Sequence, residues 1–546
     1  MVKKFSILLS SMLFVCMLGS TNAKVVKTEA WTAAWRVPAT VKVVDDEVLN
    51  SIIDPRADGE TEKSPDSGVY YQRETYHPDD RQWQGLVTVA CTGKRLWATW
   101  YTGGTKEPDP FNYVVLAYSD DDGETWVDPY IVIDHPDPGT NGVCLVLPHL
   151  YVEGDELVLQ YLQQFLYNVR FQNPDAENIN DVIIGEPQLI SNVKIHKAPT
   201  RLTDEDGSEI AVVAYETIVG ATESVSVTYI DVWNETTKKY ERRGMASSSN
   251  PSKRRWPESQ VVELERGKWM VVSRIEGGTN GGVEVAYSND YGRNWSAYED
   301  NLGEPFIGPG SKGHIMKLAS GNHLVVNHDT TSSRSSLCAY LSTDKGQTYP
   351  YKLSLDGRND LSYPSAFEKD GYIYVVWDKG RYLEKELRIS KITERDIIEA
   401  EVTAPGTFEK RVITKLNDDY ADIVSIDHPF PKVFNVRPGT PSADIRGQLP
   451  TTFKVTDSQG EQHTVTGVWK SAGYKPDIVG KYFFTFNTDL SAYLQDTYNL
   501  LRVKVIVEEA PPTTTDFTWL IVVGALVAGL GVLGGGAFLI FKKKKV

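Results

Sequence analysis

SDDDGETW at 119–126, SNDYGRNW at 288–295 and STDKGQTY at 342–349 are one pattern written three times, Ser-x-Asp-x-Gly-x-(Thr/Asn)-(Trp/Tyr). Asp121, Asp290 and Asp344 occupy the shared acidic position. A run of acids invites a catalytic or calcium reading, but the repetition points to architecture. Ser and Asp accept hydrogen bonds from the backbone of a tight hairpin, and Gly supplies the positive φ that such a turn requires. The terminal aromatic is expected to turn inward and pack between sheets. These aspartates are therefore expected to shape turns and not to react.

Outward from these boxes, short runs rich in Val, Tyr and Trp alternate with turns: LVTVA, LWATWY, YVVLAYS, EIAVVAYE, KWMVVSR, HLVVNHD, YIYVVWD. No long amphipathic helix interrupts them. The last two boxes start 54 residues apart, close to the length of one four-stranded blade. The stretch 70–405 accordingly divides into six blades, and radial repetition of this kind is a six-bladed β-propeller. The 43 Gly, 28 Pro, 13 Trp and 28 Tyr of the 546-residue chain suit an all-β protein with many turns.

The flanks suggest further units. Lys3 and Lys4 precede an apolar run and small residues near Ala23, as in a secretory signal peptide over 1–23. Residues 24–69 form an N-terminal segment, and 406–430 read as a connector. Over 431–508 short alternating strands with Gly turns predict a small β-sandwich, and 509–516 read as a stalk. The 25 uncharged residues 517–541, followed by the basic tail 542–546, predict a transmembrane helix with the propeller displayed at the cell surface. Cys91, Cys144 and Cys338 show no paired spacing and are expected as free thiols. A net charge of -16 leaves no basic stripe for nucleic acid.

Three such boxes on a six-bladed propeller resemble the Asp-box (BNR) sialidases, or neuraminidases, over about 70–405. GVWKS…VGKYFFTF resembles the Ig-like modules of bacterial surface proteins. The most informative stretch within the propeller is WPESQVVELERGKWMVVSR, 256–274. Glu258 opens one strand and Arg274 closes the next, so both can lie at one end of a hairpin. By resemblance Glu258 activates a nucleophile and Arg274 grips a substrate carboxylate; taken without the resemblance, the two residues read first as an exposed blade-edge salt bridge. Arg334, just before the third box, matches a second clamp arginine. Tyr363, in LSYPS, matches the nucleophile. A neutral phenol suits attack on an anomeric carbon that carries a carboxylate, because an anionic carboxylate nucleophile would be repelled. The alternative for Tyr363 is a core aromatic with a satisfied hydroxyl.

The first blade departs from the family. Gln84 stands where the first arginine of the clamp is expected, and an amide cannot make the charge-assisted bidentate contact of a guanidinium. Arg36 in WRVPA lies too far upstream to replace it; Arg81, Arg358 and Arg381 are nearby cations that could. The family's acid/base aspartate falls in the loop TKEPDPFN, where Glu107 and Asp109 are both candidates. GPGSKG (308–313) fits a nucleotide fingerprint without the following helix, and the histidines 314, 323 and 328 lack ligand spacing, so no cofactor or metal is expected. The resemblance implies a retaining exo-α-sialidase-like hydrolase acting on terminal sialic acids of cell-surface glycans. An exoglycosidase for another acidic sugar, a glycan-binding propeller without catalysis and a purely structural surface protein are the alternatives.

Overall fold

The computed structural model describes residues 37–53, 62–63, 70–71, 74–136, 143–163, 165–191, 197–216, 227–248, 258–278, 281–300, 302–427, 430–471, 473–488 and 494–509. Six antiparallel sheets follow one another along the chain as the blades of a β-propeller. Their inner strands are Gln84–Cys91, Val146–Glu153, Thr200–Thr203, Ser259–Glu265, His314–Lys317 and Leu361–Lys369. Every residue of Gln84–Cys91 is buried, because this strand faces neighbouring sheets on both sides. Blade 1 gains a fifth, outermost strand from Thr40–Val43, which pairs with Val132 and its neighbours. Among the described residues blade 4 has three strands, and two isolated bridges meet its open edge, Glu299 to Val285 and Gly308 to Gly281.

The ring closes between blades 6 and 1 through hydrogen bonds. Leu86 N–H donates to Asp378 at 2.9 Å, and Gln84 N–H donates to the Arg381 carbonyl at 3.2 Å. Blade 6 runs on through Phe408–Lys415, past the boundary expected at 405.

The boxes lie after the third strands of blades 1, 4 and 5, and their geometry is repeated. In the first, the Ser119 hydroxyl donates to Asp121 at 2.8 Å and accepts from Gly123 N–H at 2.9 Å, and Asp121 also receives Thr125 N–H at 2.9 Å. Asp290 and Asp344 receive Asn294 and Thr348 N–H in the same way. Two successive left-handed residues make each turn, Asp122 and Gly123 with φ of 60° and 82° in the first. Gly is one of that pair, as the sequence implied.

After blade 6 the chain forms a second all-β unit of seven strands, beginning with Ala421–Ile426 and ending with Arg502–Val507. Phe453, Trp469, Phe484, Phe486, Val503 and Val505 fill its core. The expected Ig-like sandwich has two separate sheets; here all seven strands lie on one hydrogen-bonded path, a β half-barrel. The physical reason is visible in Gln462–Lys470. Its first half pairs with Thr452–Asp457, and beyond Gly467 it pairs with Gly480–Thr488, so one strand carries the sheet around the bend.

Among the described residues no helix is long and apolar enough to cross a membrane. The longest of them, Glu394–Glu399, has six residues, whereas a bilayer needs about 20. This overturns the expected placement as a single-pass protein at the cell surface. The expected leader, most of the stalk and the apolar segment 517–541 lie outside the described residues.

Candidate active site

The site grows from a defect in an inner strand. Between Ser362 and Ser365 the pairing of blade 6 slips by a β-bulge, and Tyr363 sits in it with φ of 46°. A left-handed conformation is costly for a bulky residue, and bulges of this kind re-aim side chains. Blades 1 and 2 use the same device at Leu86 and Leu147, with φ of 59° and 54°.

Arg274 brings two blades together. Its Nη1 donates to the Tyr363 hydroxyl at 2.9 Å and lies 3.2 Å from the Glu258 carboxylate. Glu258 and Arg274 are adjacent because Arg274 N–H donates to the Glu258 carbonyl at 3.3 Å across their hairpin. Arg274 Nη2 reaches Glu276 at 3.4 Å, and its buried Nε has no hydrogen-bond partner. Burial of Tyr363, reinforced by the Glu258 charge and opposed by Arg274 and Arg381, raises its phenol well above the ordinary tyrosine value. The phenol is therefore neutral at rest.

Three more cations surround that ring. The guanidinium of Arg381 lies 4.3 Å from its centroid and that of Arg334 5.7 Å, with the Lys312 amine at 5.5 Å. Arg334 is held by Ser362 at 3.1 Å and by the Gly310 carbonyl. Arg381 donates through Nε to Asp378 at 3.0 Å and pairs through Nη1 with Glu107, while its buried Nη2 has no partner. Glu107 also accepts from the Tyr101 hydroxyl at 2.5 Å. A cavity opens beside Glu258 and Arg274, lined also by Gln260, Phe306, Ser311 and Asn327.

The residues singled out in the sequence thus divide. Glu258, Arg274, Arg334, Tyr363 and Glu107 converge. Asp109 does not join them: its carboxylate accepts Phe111 N–H at 3.0 Å, and its own N–H donates to Asn112, so it shapes the loop. Gln84 is fully buried and spends its amide on the Lys385 carbonyl at 2.6 Å. Of the three substitute cations, Arg81 is committed to Asp128 and Arg358 to Asp356 and Glu386. Arg381 alone of these three reaches the ring. Lys312 and Tyr101 were not signalled; the GPGSKG segment that carries Lys312 crosses the site, with Gly282 N–H donating to the Gly308 carbonyl at 2.6 Å.

Two histidines are spent on backbone carbonyls, His323 on Glu263 and His328 on Ser335. Among the described residues one grouping could ligate a metal, Asp457, Glu461 and His463, and it lies in the half-barrel. There His463 pairs with Asp457 at 2.7 Å. Cys91, Cys144 and Cys338 are free thiols.

A propeller with three Asp-box hairpins and an Arg–Glu–Tyr constellation joining two blades defines a class. The chain belongs to the BNR repeat-like domain family, whose sequence profile matches residues 94–375, just over half its length. Similar solved structures include the Hadza microbial sialidase Hz136, with a TM-score of 0.45 and 16% identity over 62% of this chain and 71% of that one. A mutant of Trypanosoma rangeli sialidase displaying trans-sialidase activity gives 0.39 and 14%, covering 65% of this chain and 57% of that one. A mutant of NanB sialidase from Streptococcus pneumoniae gives 0.35 and 13%, over 59% and 67%. No curated protein sequence matches the chain.

Proposed function

We propose that the chain is a sialidase-like exoglycosidase that cleaves terminal sialic acids with retention of configuration. The observation that supports this reading most directly is the single Arg274 nitrogen shared by the Tyr363 hydroxyl and Glu258. A base beside a phenol has no use in glycan binding alone. In the proposed reaction the Tyr363 oxygen attacks the anomeric carbon and its proton passes to Glu258, directly or through one water. The glycosidic bond breaks as its oxygen takes a proton from Glu107, and the aglycone departs. Water then displaces tyrosine, with Glu107 accepting the water's proton and Glu258 returning a proton to the phenolate. Arg274, Arg334 and Arg381 grip the sugar's carboxylate.

Arg381 takes the place that Gln84 leaves vacant in the clamp. Its unpartnered Nη2 and its position over the Tyr363 ring support that role. The test is hydrolysis of a fluorogenic sialoside by the purified protein beside a panel of other glycosides, with Tyr363→Phe and Glu258→Gln as controls. Release from the sialoside that both substitutions abolish supports the reading. Release from another acidic glycoside alone changes the sugar, and binding without turnover overturns catalysis.

A further inference from the structure

Arg381 rides on the loop Gly380–Lys385; residues just past the last strand of blade 6 tie down its far end, Asn417 donating to the Leu383 carbonyl at 3.0 Å and Leu416 N–H to the Lys385 carbonyl at 3.4 Å, and two further groups of contacts hold it. Blade 1 holds one side: Gln84 donates to the Arg381 and Lys385 carbonyls, and the Lys385 amine donates to the Arg81 carbonyl at 2.8 Å. The half-barrel holds the other. Gln495 Nε2 donates to Glu384 at 2.8 Å, while Gln495 Oε1 accepts from Arg358 at 2.8 Å. Glu384 is buried, pairs with Lys379, and fills the space that a Cβ on Gly380 would need. The loop folds back on the Gly380 carbonyl, which accepts Leu383 N–H at 3.0 Å and Lys385 N–H at 2.7 Å.

Gln495 is itself firmly placed. The strand Leu494–Gln495 pairs with Ala421–Asp422, and Asp422 is bound to the fully buried Arg388 of blade 6 at 3.1 Å. The contact between the two units is therefore a buried polar network, in which removing one donor strands a charge away from water. Of the half-barrel's contacts with blade 6, the one from Gln495 to Glu384 falls on the loop that presents Arg381.

We propose that Gln495 is a positioning residue for the candidate active site: the half-barrel, by donating to Glu384, fixes the loop that presents Arg381 above Tyr363. The inference rests on reading Arg381 as a ligand for the substrate carboxylate. A clamp arginine displaced by an ångström loses much of its grip, whereas the nucleophile and base, carried by other segments, keep theirs.

The test uses the full chain with Gln495→Glu, which preserves shape and the Arg358 contact but puts a second carboxylate oxygen against Glu384. Hydrogen exchange at 380–385 is expected to accelerate about tenfold, with the inner strands of blades 4 and 5 unchanged. KM for a fluorogenic sialoside is expected to rise about tenfold while kcat stays within about twofold. Unchanged exchange in the loop, or acceleration spread over every blade, overturns the positioning role. A loosened loop with KM unchanged overturns its link to binding. If the unaltered protein does not cleave the sialoside, the functional reading falls, and the exchange measurement still decides whether Gln495 holds the loop.

Discussion

Gly85 and Arg381 fit one another: a Cβ on Gly85 would lie 2.9 Å from Arg381 Nε and 3.0 Å from its Cδ. The inner strand of blade 1 gives up a side chain, and an arginine from blade 6 occupies the space. Its guanidinium cannot simply swing aside, because Asp378 and Glu107 hold it. The backbone at Gly85 suits any residue, so Gly85→Ala acts on Arg381 with little effect on the strand. KM for the sialoside is expected to rise about tenfold, matching the loss of one charge-assisted contact. Arg381→Met should reproduce it, and steady-state kinetics on both variants checks the pair.

Glu107 lies between Tyr101 and Arg381, at the edge of the constellation. In the proposed reaction Glu107 protonates the leaving group, a role that matters most when that group is a poor one. Glu107→Gln is expected to cut cleavage of an unactivated sialyl oligosaccharide by about 100-fold or more. An activated aryl sialoside needs little protonation, and its cleavage should fall far less. A Brønsted plot over leaving groups of graded acidity checks this; equal losses across the series would remove Glu107 from the role. Asp109→Asn, in contrast, should act on loop stability alone, since Asp109 is bound to Phe111 and Asn112.

The propeller was legible because its turns are written in local sequence. Ser119, Asp121 and Gly123 contact one another within a single hairpin, and the same spacing returns at 288 and 342. Glu258 and Arg274 were legible for the same reason, being neighbours across one hairpin. Arg381 was harder to assign, since its partner Glu107 is separated from it by almost the whole ring, and only closure of blade 6 on blade 1 joins them. Lys312 gave no signal at all: a lysine in a Gly-rich loop looks solvent-exposed, and burial comes from blades that the loop itself does not encode. The half-barrel differs from the expected sandwich at Gly467, where the sequence shows a glycine but not the second strand that it lets the chain reach.

Asp344 tests the architectural reading of the boxes. Hydrogen bonds from the Thr348 hydroxyl and N–H, with the Ser342 hydroxyl, hold its carboxyl down at about 2. Asp344→Ala removes the acceptor for several groups of one turn and is expected to cost about 1–2 kcal/mol. Thermal unfolding should register the loss at pH 7. The difference from the unaltered protein should shrink as pH falls from about 4 through 2, where Asp344 itself becomes protonated. Sialoside kcat/KM should not change at temperatures where the variant is folded, because the box lies at a hairpin that makes no contact with Tyr363. A kinetic defect without a stability defect would assign Asp344 to chemistry.

Lys312 gives the opposite pH signature. Burial pushes its amine down to about 8, against the pull of Glu258 and with the added push of Arg381, while Asp378 draws it back up. In the unfolded chain the amine holds its proton to about 10.5. Between these values the unfolded state binds more protons than the folded one, so stability rises with pH across that window. Below about 8 the cost of burying the ammonium is present in full. Lys312→Met removes the charge while keeping the length of the side chain, and is expected to raise the Tm at pH 7. The gain should fade as pH rises above 8 and vanish beyond about 10, where both proteins carry a neutral side chain at this position. Calorimetric scans at pH 6, 7, 9 and 10 check the trend, and a gain that grows with pH would mean that the amine is charged and stabilising in the folded protein.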